Sequence, residues 1–127
     1  MANWLPVTEA RLLQLLEEAA AAMPPAVERF WHLIRIGPVK WDLPPWGDEG
    51  GGFWVVAILG HACVWYNDIE DGFNVSPFEV PGRIGEYWCS QGQLGPIVQG
   101  FYDQYVEWGG DPRVGQADPA EDFRPPA

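Results

Sequence analysis

The segment from residue 53 to 80 constrains this chain more than any other. Phe53–Leu59 is aromatic and aliphatic on both parities, Gly60-His61 interrupts it, and Ala62–Asn67 resumes the same composition. A two-residue loop that opens with Gly suits a type II′ hairpin turn, whose twist matches that of the flanking strands. Asp68-Ile69-Glu70-Asp71-Gly72 supplies a second turn, with Asp71-Gly72 suited to positive φ, and residues 73–80 continue as a strand that Pro77 assigns to an edge. Strands joined by such short turns must pair antiparallel, because a parallel return needs a crossover of about a dozen residues or more. The rest of the chain therefore packs around a meander.

Two helices flank it. Thr8 is a candidate N-cap, and residues 9–23 are rich in Ala, Leu and Glu, with Leu12, Leu16, Ala19 and Met23 on one stripe. Pro24-Pro25 ends this helix. Over residues 30–41, Trp31 and Leu33 fall on one parity and Phe30, Ile34 and Ile36 on the other, which predicts a first strand bent at Gly37-Pro38; helix over 26–34 is the alternative. Residues 43–52, with two Pro and four Gly, form a loop that carries Trp46. Residues 83–89 add a short fifth strand. Helical spacing returns over 93–108 through Leu94, Ile97, Phe101, Tyr105 and Trp108. The expected fold is α+β, with an N-terminal helix, a strongly bent antiparallel sheet of about five strands and a C-terminal helix, one helix on each sheet face. Residues 1–108 make a single domain, and 109–127 form a Pro- and Gly-rich mobile tail.

Charge narrows the function. With 18 Asp and Glu against 7 Lys and Arg, and Lys40 the single lysine, the chain has a net charge of -11 and can neutralise few phosphates. Nucleic-acid binding is disfavoured, and a basic protein partner or self-association is favoured. Residues 1–6 have no basic residue before the first apolar ones, unlike a signal peptide, and no apolar run approaches the ~20 residues of a membrane span. The two cysteines, Cys63 and Cys89, are expected as reduced packing thiols in a cytoplasmic protein.

Chemistry-bearing patterns are sparse. Read as a calcium loop from Asn67, the acidic turn has Ile69 at the third position and Phe78 at the twelfth, which excludes an EF-hand. Asp68, Glu70 and Asp71 remain candidates for a looser metal or hydrolytic site, and Asp42, Asp48 and Glu49 could supply a further carboxylate. His61 and Cys63 alternate onto one strand face and are a weak candidate pair of metal ligands. Neither Ser76 nor Ser90 sits in a nucleophile elbow, and Gly50-Gly51-Gly52 lacks the lysine of a phosphate loop. No cofactor is implied. Eight Trp exceed what one core of this size needs, so Trp41, Trp46, Trp54, Trp65 and Trp88 are candidates for an aromatic interaction patch, with core packing as the competing reading.

Residues Glu70-Asp71-Gly72-Phe73-Asn74-Val75 are similar to the first motif of the Sm-like family of small β-barrels, and a helix preceding a five-strand meander resembles that fold. The resemblance implies an RNA-binding alternative in which Asn74 contacts a base, with Phe73 beside it, and Glu70 braces the loop. The family's second motif is missing, because Gly82-Arg83-Ile84 has the wrong order. The leading expectation is a non-enzymatic protein-interaction module.

Overall fold

The computed structural model describes residues 5–108. Along the chain it shows α1 (Glu9–Ala21), α2 (Pro25–Ile34), β1 (Arg35–Trp41), β2 (Phe53–Leu59), β3 (Ala62–Asn67), β4 (Gly72–Pro77) and α3 (Leu94–Tyr102). A short 3-10 turn at Asp48–Gly50 lies between β1 and β2, and α3 widens into a π-helical stretch at Asp103–Trp108. The tail expected at 109–127 lies outside the described residues.

The hairpin forms with the predicted bounds. Gly60 carries a φ of 61° and His61 stays on the negative side, as a type II′ turn requires. The strands pair antiparallel in the order β1-β2-β3-β4, so the sheet is a meander of four strands, not five, and it is open. Thr8 caps α1 by accepting a hydrogen bond from the Arg11 amide at 3.1 Å. Over 30–34 the predicted strand gives way to the helical alternative. Pro25 occupies the first helical turn, where its missing N–H costs nothing, and Val27, Trp31 and Ile34 recur at helical spacing on the buried side. The two prolines thus end one helix and start the next.

The three helices among the described residues pack on one face of the sheet, which corrects the expectation of one helix per face. Leu12, Leu16, Val27, Trp31 and Val98 meet Val56, Val64, Tyr66 and Phe73 there. Consecutive residues Val56 and Ala57 both join this core because the β2–β3 register shifts between Val55 and Ala57. The opposite face, with Trp41, Phe53, Val55, Cys63 and Trp65, is covered by irregular chain through Leu43, Phe78 and Ile84.

That cover replaces the expected fifth strand. The segment 83–92 lies beside β4, yet few of its contacts are backbone to backbone: Gly85 N–H donates to Pro77 and Phe73 N–H to Gly92, each at 2.8 Å. Side chains of the sheet do the rest. Asn67 Nδ2 donates to the Trp88 carbonyl at 2.9 Å, Ser76 Oγ to the Glu86 carbonyl at 2.7 Å, and Asn74 Nδ2 to the Ser90 carbonyl at 3.0 Å. Asn74 Oδ1 accepts from both the amide and the hydroxyl of Ser90, at 3.0 and 2.8 Å. Buried side-chain amides and a hydroxyl thus satisfy carbonyls that a ladder would otherwise pair. A Cβ on Gly72 would collide with the backbone of Ser90 and Gln91, so only glycine lets the segment approach this closely.

Candidate functional site

The structure divides the five candidate tryptophans. Trp65 is fully buried, its indole N–H donating to Ser76 Oγ at 2.9 Å and its ring tilted against Phe53 at 4.9 Å. Trp41 is buried edge-on to Phe78. Trp54 is half-buried; the Lys40 ammonium lies 5.2 Å from its ring centroid and its N–H donates to the Val7 carbonyl at 3.3 Å. These three serve the core. Trp46 and Trp88 remain 46% and 51% exposed.

Trp46 belongs to the loop-covered face, and Trp88 is joined to it through Glu86. Trp46 stacks on Tyr87 with centroids 4.4 Å apart and planes 12° from parallel. The loop under Trp46 is held by buried Leu43, whose carbonyl accepts from Gly47 N–H at 3.1 Å, and by Gly52 N–H donating to Gly47 at 2.8 Å. Tyr87 in turn touches Phe53 and Trp65 of the core beneath. Between Trp46, Tyr87 and exposed Val80 lies a cleft of about 620 Å³, with Glu79, Glu86 and Arg83 among its walls. Trp88 donates its indole N–H to Glu86 Oε1 at 3.1 Å, which ties it to the same rim. Sequence reasoning missed Tyr87 and Val80 because it placed them on strands, over 83–89 and 73–80, whereas β4 ends at Pro77 and both lie in irregular chain. The available signal was loop punctuation, Pro77 and then Pro81-Gly82, around large apolar residues.

The acidic turn does not assemble a site. Asp68 turns inward, 7% exposed, and its Oδ2 accepts from Val7 N–H at 2.7 Å while Oδ1 has no partner. Burial raises its pKa, and the Val7 N–H opposes the rise. Asp71 is exposed in a left-handed conformation, φ 59°, with the Tyr66 hydroxyl 3.4 Å away. Glu70 is fixed through its backbone: its N–H and that of Ile69 donate to Asn67 Oδ1. Among the described residues, no group of three or more His, Cys, Asp or Glu side chains is placed to share a metal ion. The Glu49 side chain lies outside those described.

His61 is exposed in its turn, whereas Cys63 is buried and its thiol is pushed up to about 11, chiefly by burial. The pair therefore does not present two ligands to solvent. Cys89 is exposed, not a packing residue, and both thiols are free. Phe73 and Asn74, the candidates for base contact, are both buried; Asn74 is 3% exposed, and both atoms of its amide are engaged with Ser90. No helix among the described residues is long and apolar enough to cross a membrane. Comparisons of the chain with protein-family models, with curated proteins and with solved structures found no match, so the exposed Trp46, Tyr87 and Trp88 surface stands as the candidate site on its own geometry.

Proposed function

We propose that this protein is a non-enzymatic interaction module that binds a basic protein partner in the cytoplasm through Trp46, Tyr87 and Trp88. The observation that carries the reading is Trp46: about half its surface stays in water, yet its ring is stacked and its loop is hydrogen-bonded in place. An aromatic side chain ordered before contact loses little entropy on binding, which is why Trp and Tyr dominate interface energetics. Glu79 and Glu86 at the rim, within a chain of charge -11, favour a cationic counterpart and steer its approach.

The test is partner capture by the full chain, compared with Trp46→Ala and Trp88→Ala. Retention should fall by about tenfold or more in the variants, as for interface tryptophans generally, while Tm changes by only a few degrees. Retention should also weaken as salt rises. Equal retention by wild type and both variants would remove this surface from consideration. Sedimentation of the protein alone identifies the case in which the partner is a second copy.

A further inference from the structure

The helix side of the molecule carries a second groove, of about 800 Å³, between the C-terminal half of α1 and the start of α3. Its size falls within the range of small-molecule sites, roughly 300 to 1,000 Å³. Tyr66 and Phe73, largely buried at 8% and 7% exposed, reach its floor with the edges of rings 4.8 Å apart and tilted by 55°, and Met23, Leu94 and Ala19 add apolar wall.

The charge of the groove has one sign. Glu18 and Asp71 line it, and among the described residues no Lys, Arg or His does. Asp71 is exposed and its contact with the Tyr66 hydroxyl is long at 3.4 Å, so its carboxylate is open to a stronger donor. Arg11 stands 3.9 Å from Glu18, but both side chains are more than half exposed, and water screens such a pair. The first turn of α3 has no side-chain cap and brings backbone donors to the far end. A helix terminus amounts to about half a unit charge at most, and Pro96 removes one donor, so two whole carboxylates outweigh it.

We propose that this groove binds a small amphipathic amine, its apolar or aromatic body against Tyr66 and Phe73 and its ammonium toward Asp71. The proposal is independent of the Trp46 surface. Its polar end resembles what oriented sites in general require: an apolar cavity with a small number of fixed polar groups. Asp71 also occupies a left-handed backbone position that Asn tolerates, so its charge can be removed without disturbing the turn.

Methyl NMR on the full chain tests it. The chain contains two methionines, and Met23 lines the groove, so its methyl resonance reports occupancy. The probes are phenethylammonium, phenethyl alcohol and hydrocinnamate, which share a ring and differ in head-group charge. The ammonium should shift the Met23 methyl saturably and bind about tenfold or more tighter than the carboxylate, the scale of a charge-assisted hydrogen bond. Asp71→Asn should bring the ammonium's affinity most of the way to that of the alcohol, and Asp48→Asn, in the loop between β1 and β2, should leave it unchanged. Equal affinities for the three probes, an unmoved Met23 methyl, or an equal effect of Asp48→Asn would overturn the proposal.

Discussion

Replacing Asn74 by Ala tests whether the sheet holds segment 83–92 through side chains. Asn74 makes four hydrogen bonds: Nδ2 to the Gly72 and Ser90 carbonyls, and Oδ1 from the Ser90 amide and hydroxyl. A net value of about 1 kcal/mol for each of the three contacts to Ser90 gives a loss of about 3 kcal/mol. Against a typical stability of roughly 5 to 15 kcal/mol this is a large fraction, and it corresponds to a Tm lowered by roughly 10 to 20 °C for a domain of this size. Urea unfolding measures the loss, and amide hydrogen exchange over 86–92 locates it. Asn74→Asp should also be destabilised at neutral pH, since it places a charged oxygen against two carbonyls, and should recover part of the loss on acidification, when a protonated oxygen can donate. An Asn74→Ala variant within about 0.5 kcal/mol of wild type, with unchanged exchange, would refute the role assigned to this residue.

Three further outcomes are expected. Ser76→Ala leaves the buried Trp65 N–H and the Glu86 carbonyl without partners and should cost about 2 kcal/mol in urea unfolding, whereas a neutral effect would mean that another group serves them. Native protein should show one rapidly reacting thiol at pH 8, Cys89, while Cys63 reacts only on unfolding; two fast thiols would contradict its burial and its raised pKa. Because burial raises the Asp68 carboxyl, the folded state holds that proton more tightly than the unfolded one. The resulting stability is complete below about pH 4 and is lost as pH rises through the folded value. Wild type should therefore lose stability relative to Asp68→Asn between acid and neutral pH, and a pH-independent difference in urea midpoints would count against it.

What could be read from sequence was local. Gly60-His61 fixed a hairpin because its turn chemistry depends on two residues, and Thr8 marked a helix start for the same reason. Residues 30–34 misled because aromatic and branched side chains satisfy strand preferences while Val27, Trp31 and Ile34 recur at helical spacing; only packing against the sheet decides between them. The fifth strand failed for a different reason. Segment 83–92 lies where a strand would lie, but its carbonyls are met by Asn67, Asn74 and Ser76, a pairing across the chain that no local pattern announces. The aromatic patch was legible as a surplus and not as a place: Trp41, Trp54 and Trp65 were absorbed by the core, and Trp46 and Trp88 were joined by Tyr87.

The side-chain pairing of segment 83–92 also bears on how copies of this chain behave when crowded. An open sheet ordinarily offers two margins on which foreign backbone can add as a further strand, a route to fibres. Here one margin is occupied, since 83–92 runs along β4 and takes the Phe73 N–H and the Pro77 carbonyl. At the other, β1 is irregular between Arg35 and Val39, a stretch that includes Pro38, which has no N–H to give. Among the described residues, one margin is thus covered and the other carries a proline. Addition of a further strand from a second copy is therefore disfavoured at both margins of the described sheet.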